Sequence, residues 1–225
     1  EPLTLGLIMR ARRFVLVGDD RQLPPVVHTE GLQTSLFERL KNTALEEGSD
    51  RLTLLNVQYR MHPEIMNVSN RLYYDGALLA GIQAADRLPP VGQPLAFVRV
   101  DSESEGRVNR AEASVVNDIV RSLLTHTAPE GIGVISPFRA QVVLLRRLLE
   151  GTGVTVDTVE RFQGGEREVV VISFVRSRGS TFVFDDRRFN VAMTRARRKL
   201  VLVAHPDLFR NTRYEWMCEF LENPE

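Results

Sequence analysis

The candidate chemistry of this chain lies first in its arginines. In Phe189 to Lys199 (Phe-Asn-Val-Ala-Met-Thr-Arg-Ala-Arg-Arg-Lys) four basic side chains, Arg195, Arg197, Arg198 and Lys199, fall within five residues. Arginine suits a phosphate because its planar fork bonds two oxygens at once and stays charged. Taken alone, such a cluster reads more plainly as a solvated helix end that complements the helix dipole. Arg60 is a second candidate, in Gln58-Tyr59-Arg60-Met61-His62-Pro63 between a strand end and a helix start. Its plain reading is a surface salt bridge; Tyr59 beside it reads as core or as a base-stacking ring. Gln22 offers a donor and an acceptor in a loop stiffened by Pro24 and Pro25. The adjacent Gly164 and Gly165 let the backbone approach a ligand closely, leaving Gln163 and Glu166 to meet ribose hydroxyls or phosphate-bound water. A flexible charged hairpin is the alternative there. Ser136, at a strand end ahead of a helix, suits a backbone phosphate and serves equally as an N-cap.

The elements that must position these residues follow from the hydrophobic pattern. Phe14 to Val17 is a continuous apolar run that stops at Gly18-Asp19, as a central parallel strand does. Thr34 to Lys41 is amphipathic and predicts a helix; Gly48-Ser49-Asp50 breaks it, and Leu52 to Val57 reads as a strand. A domain boundary is placed there, dividing 1–45 from 46–225. Pro63 sits in the first turn of the next helix. Leu95 to Val100 reads as a strand, and Asn109 to Leu124 as a helix with Ala113, Val116, Val120 and Leu123 or Leu124 on one side. No chemistry is evident in that helix. Strands follow at Ile132 to Ile135, Val154 to Val159, Val169 to Phe174 and Leu200 to Ala204, with a helix over Ala140 to Leu149. Tyr214 to Leu221 reads as a terminal helix anchored by Trp216 or Phe220.

Composition narrows the classes. The 225 residues suffice for one large or two small domains with cores. Basic and acidic residues balance at 29 each, so a nucleic-acid contact must come from local patches. Only Lys41 and Lys199 of the basic residues are lysines, a bias spread along the whole chain. A single cysteine, Cys218, excludes an internal disulfide and a cysteine-based zinc site, and the four histidines make no ligand spacing. There is no apolar run of the roughly 18 residues a membrane span needs, nor a signal peptide. An intracellular location, cytoplasmic in a bacterium or nuclear in a eukaryote, is expected.

With these residues assembled, the chain resembles the back half of a superfamily 1 helicase of the 1B branch. That branch includes replication and repair nuclease-helicases and nonsense-mediated-decay RNA helicases. Gly18 to Pro25 resembles motif III, Gln58 to Pro63 motif IV, Thr158 to Glu166 motif V and Asn190 to Ala196 motif VI. The resemblance implies an α/β, RecA-like parallel sheet flanked by helices, with residues 1–45 the tail of a first motor domain and 46–225 the second. It implies ATP between the domains and a single nucleic-acid strand across both. In that scheme Arg60 and Arg195 act as arginine fingers on the γ-phosphate, and Gln22 senses that phosphate or the attacking water. Tyr59 lies against the adenine, Gly164 lets motif V approach the nucleotide, and Glu166 holds the ribose. Pro24, Ser136 and Thr158 touch the strand at its backbone, which tracks it without reading sequence.

The P-loop's Gly-Lys-Ser or Gly-Lys-Thr does not occur in these residues. The chain by itself is therefore expected not to hydrolyse ATP, and ATP with Mg²⁺ is expected to be held mainly by a first RecA-like domain outside it. Ser173 to Ser177, Ile65 to Asn70 and Tyr74-Asp75-Gly76 resemble the nuclease-helicases more closely, which favours DNA, and the 1B branch implies 5′→3′ movement. A nuclease domain would have to lie outside these residues. Three alternatives stand: an RNA helicase of the same branch, a nucleic-acid-binding module without an engine, and a protein-interaction domain. Passive binding requires none of Gln22, Arg60 and Arg195, so their joint presence argues against the second. No positive feature marks the third.

Overall fold

The computed structural model describes residues 2–24, 34–162, 165–178 and 185–218. Pro25, Gln163, Gly164 and Phe220 lie outside these. The chain divides into two compact units, Glu1–Leu55 and Asn56–Glu225. Residues 46–55, read from the sequence with the second part, fall in the first unit.

The first unit holds helices α1 (Pro2–Ile8) and α2 (Leu36–Glu46). Ser35 caps α2, its Oγ accepting from the Glu38 N–H at 3.1 Å. The strand expected at Phe14 to Val17 is not formed, and Val15 is 90% exposed. A parallel strand exists only with a neighbour to complete its ladder, and none pairs with this run among the described residues. Of the strand expected over Leu52 to Val57 only Val57 is in a strand, where with Gln58 it finds a partner. Gly18 is required by close approach, since a Cβ there would stand 2.7 Å from the Phe37 ring.

The second unit begins with strand β1 (Val57–Gln58), helix α3 (Pro63–Tyr73) and strand β2 (Leu79–Ala80), which pairs parallel with β1. Helix α4 (Ile82–Ala85) leads to β3 (Leu95–Arg99), α5 (Arg110–Leu123), β4 (Ile132–Ile135), α6 (Arg139–Leu148), β5 (Thr155–Asp157), β6 (Arg167–Ser173), α7 (Asp186–Met193) and β7 (Ala196–Ala204). The last five strands form one parallel sheet in the order β3-β7-β6-β4-β5. This is the expected α/β class, a parallel sheet flanked by helices. Strand β7 starts four residues before the Leu200 expected from its apolar run, so Arg197, Arg198 and Lys199 are strand residues, not a helix end.

Successive strand side chains alternate between faces. Val169, Val171, Val201 and Val203 join Ile132 and Val134 against the stripe of α5 formed by Ala113, Val116, Val120 and Leu123, and against Val142 and Leu145 of α6. That stripe is the one expected. On the other face Phe174, Phe189, Phe209 and Tyr214 stack edge to face at 5.4–5.5 Å between centroids. Of the terminal helix expected over Tyr214 to Leu221, the described part begins with a short 3₁₀ turn, Glu215–Met217, and residues 219–221 lie outside the described residues. Among the described residues no helix is long and apolar enough to cross a membrane.

Candidate functional site

Three segments bring charge together at the N-terminal ends of β6 and β7. The first is the turn after β1. Gln58 organises it: its Oε1 accepts from the N–H groups of Arg60 (2.9 Å) and Met61 (2.8 Å), and its Nε2 donates to the Met61 carbonyl (2.9 Å). The His62 N–H donates to the Arg197 carbonyl at 2.8 Å, docking the turn on β7. Arg60 then extends its Nε to Glu166 Oε2 at 2.9 Å and its Nη1 to the Thr194 carbonyl at 3.3 Å.

The second segment is the turn between α7 and β7, where Arg195 is 3% exposed. Its Nε donates to the Val191 carbonyl (3.3 Å) and its Nη1 to the Gly165 carbonyl (3.2 Å). Burial lowers its pKa, the positive charge of Arg60 lowers it further, and Glu166 opposes both. The third segment is the approach to β6, which carries Glu166. Its other oxygen stands 3.4 Å from Arg197 Nη1. Arg60 and Arg195, 135 positions apart in sequence, thus bond two consecutive residues, Glu166 and Gly165. Arg60 and Arg197 flank one half-exposed carboxylate and Arg195 bonds the adjacent carbonyl, an arrangement whose donors suit a polyphosphate's oxygens, with Glu166 the exchangeable counter-ion.

The rest of the basic cluster is committed mainly to other partners. Arg197 and Arg198 pair with Glu168 at 3.0 Å and 3.7 Å. Lys199 is 7% exposed, donates to the Gln93 carbonyl at 2.6 Å, and has its pKa lowered by burial. Of the four, Arg195 and Arg197 reach the Gly165–Glu166 pair. Tyr59 is 56% exposed, its ring lying over Gly81, where any Cβ would collide with it at 2.3 Å.

Ser136 and Thr158 lie at the opposite end of the sheet, after β4 and β5, about 20 Å away by the length of β6. The Ser136 N–H bonds the Asp157 carbonyl at 3.3 Å, joining the two strand ends. Ser136 is fully buried, and its Oγ has no partner among the described residues. It does not cap α6, whose N-cap is Phe138. Thr158 is 8% exposed, and its N–H donates to Asp157 Oδ1 at 2.9 Å. Thr158 and Glu166 bound one segment that runs from the C-terminal edge of the sheet back to its N-terminal edge. The candidates therefore separate into an arginine pole and a strand-end pole, joined by that segment. Gln22 and Pro24 belong to the first unit; Asp19 fixes Gln22 there, its Oδ2 accepting from Nε2 at 2.8 Å, while Lys41 pairs with Asp20 at 2.5 Å.

Two residues escaped the sequence reading. Gln58 carries the donor-acceptor argument made for Gln22, but its partners are visible only once the turn is folded. Glu112 sits in α5, where no chemistry was evident, yet its carboxyl is fully buried and bonds the end of β6.

These features define a parallel α/β domain with paired arginines at one pole. A family model described as an AAA domain matches residues 32–207. An uncharacterized ATP-dependent helicase of Methanocaldococcus jannaschii is 36% identical over all of this chain and 37% of its own length. The DNA replication ATP-dependent helicase/nuclease DNA2 of Gallus gallus is 34% identical over 90% of this chain and 22% of its own. The 5′-3′ DNA helicase ZGRF1 of Mus musculus is 34% identical over 95% of this chain and 12% of its own. The chain belongs to this AAA domain family, among the superfamily 1B helicases, and spans little more than a third, or less, of the relatives named.

Proposed function

We propose that this chain supplies the second motor domain of an ATP-dependent 5′→3′ helicase or translocase acting on single-stranded DNA inside the cell. The observation that carries the reading is the convergence of Arg60 and Arg195 on Gly165 and Glu166. Both guanidinium groups are held by neighbouring carbonyls, which fixes them in place before any ligand arrives. A γ-phosphate entering between them takes over the charge balance that Glu166 supplies, and its equatorial oxygens receive the donors as negative charge spreads. Glu166, released from Arg60, is then free to accept from the ribose, and Tyr59 offers its exposed ring face to the adenine. Gln22 acts from the first unit. The Thr158 to Glu166 segment ties the nucleotide pole to Ser136 and Thr158, where the strand's backbone is read without sequence preference. Mg²⁺ accompanies the nucleotide in such enzymes. Among the described residues no group of three or more His, Cys, Asp or Glu could hold a metal ion.

The deciding experiment measures ATP hydrolysis by the full-length protein with single-stranded DNA, single-stranded RNA or neither. Stimulation by DNA that is lost in Arg195→Ala is the expected result. Stimulation by RNA alone would transfer the motor to that strand. No turnover with either would leave a passive binding module.

A further inference from the structure

Helix α5 begins with Asn109-Arg110-Ala111-Glu112, and the Glu112 N–H donates to Asn109 Oδ1 at 2.9 Å. In a capping box the glutamate would return the bond to the N-cap N–H. Here Gln141 of α6 takes that role, its Oε1 accepting from the Asn109 N–H at 3.0 Å. The Glu112 carboxyl is thereby free to reach the end of β6. It accepts from Ser173 Oγ at 2.5 Å and from the Val175 N–H at 2.9 Å and 3.1 Å, one bond to each oxygen. Gln141 Nε2 closes the network by donating to Ser173 Oγ at 3.1 Å, and Asn109 Nδ2 donates to the Val175 carbonyl at 3.4 Å. Val175 is gripped at both its N–H and its C=O.

That grip falls on a strained residue. Val175 has φ +73°, the left-handed region that a β-branched side chain rarely enters. The turn it makes sends Arg176 across the C-terminal edge of the sheet, where its guanidinium sits 5.4 Å from the centroid of the Phe138 ring at the entry to α6. Arg176 Nε is buried and has no partner among the described residues. The next residue, Ser177, donates to Glu103 and anchors the far side of the turn.

We propose that Glu112 is a positioning residue: its carboxyl holds Val175 in the left-handed turn and so presents Arg176, over Phe138, to the backbone of the nucleic-acid strand. This rests on the reading of the Ser136 and Thr158 edge as the strand-binding pole. Arg176 supplies a charge beside the uncharged Ser136 and Thr158, and Glu112 acts only through it.

The test follows the dependence of ATP hydrolysis on poly(dT) for the full-length protein. Glu112→Ala raises the poly(dT) concentration for half-maximal rate about tenfold, with the saturated rate held within about twofold. Glu112→Gln recovers most of the loss, because its amide still offers an acceptor to Val175 and a donor to Ser173. The pair Glu112→Ala with Arg176→Ala is no worse than Arg176→Ala alone. Glu112→Ala combined with Val175→Gly regains affinity, since glycine takes the left-handed conformation without a Cβ clash; this pair also serves if Glu112→Ala does not fold. Losses at Glu112 and Arg176 that multiply, a Glu112→Ala curve that overlays wild type, or a loss that Val175→Gly does not restore would each overturn the assignment. Wild-type protein unresponsive to both poly(dT) and poly(U) overturns the motor reading itself and the assignment with it.

Discussion

Two guanidinium groups held near one another repel, and Glu166 offsets that repulsion while no phosphate is present. Arg195 is buried and fixed by two carbonyls, whereas the Arg60 side chain is 40% exposed and leans on Glu166. Removing either arginine should lower the saturated rate of the full-length protein by about 10³-fold or more, as for other arginine fingers. Arg195→Lys should not rescue, because a single ammonium cannot keep both carbonyl bonds and reach an oxygen as well. Steady-state hydrolysis at saturating ATP and DNA checks both. Glu112 allows a stability prediction of the opposite kind. Burial raises its pKa from 4.5 to about 7, and the donors that oppose this, Ser173 Oγ and the N–H groups of Phe174 and Val175, are all uncharged. A folded pKa raised above the unfolded one means the native state binds the extra proton. The stability it contributes is full below about pH 4.5 and is lost as pH rises through about 7, a change on the order of 3 kcal/mol. Urea midpoints across that window should fall less steeply in Glu112→Gln than in wild type. Equal slopes would assign the dependence to other groups.

At the scale of elements, turns rather than helices or strands determine where the chemistry sits. Gln58 makes three bonds to the turn that carries Arg60. Gln58→Ala leaves two N–H groups and a carbonyl without their partner, at about 1–3 kcal/mol in stability. Because the turn also aims Arg60, the maximal rate should fall by more than that destabilisation explains while thermal unfolding stays cooperative. A rate unchanged after correction for the folded fraction would make Gln58 purely structural. The face opposite α5 and α6 depends on Phe174, Phe189, Phe209 and Tyr214. Phe189→Ala there should cost about 3–5 kcal/mol by chemical denaturation, since the ring is fully enclosed between two aromatic neighbours.

At the scale of the molecule, Asn56–Glu225 holds the whole five-stranded sheet and both of its helical faces. A protein trimmed to 56–225 should melt cooperatively within about 5 °C of the full 225 residues; a broad, non-cooperative transition would show that the first unit completes the core. Neither protein is expected to hydrolyse ATP, because the Gly-Lys-Ser or Gly-Lys-Thr of a P-loop is absent from these residues. Much of this architecture is written locally. Continuous apolar runs flanked by amphipathic helices specify a parallel α/β sheet, and the α5 stripe could be read by period alone. The residue types at Gln58 to Pro63 and Asn190 to Ala196 named the two arginines, because few groups suit a phosphate as arginine does. Other features depend on partners distant in the chain. Phe14 to Val17 reads as a strand but pairs with nothing described, and Arg197 to Lys199 read as a phosphate cluster but pair with Glu166, Glu168 and Gln93. Glu112 lies in a helix whose sequence showed no chemistry, and its carboxyl reaches the end of β6 only because Gln141, from another helix, bonds the Asn109 N–H. The sequence by itself determined the fold class and which side chains are fit for phosphate, since both follow from local pattern and residue chemistry. Tertiary structure alone decided which arginines meet Glu166 and which carboxyl lies under Val175, because burial and pairing are set by residues far apart along the chain.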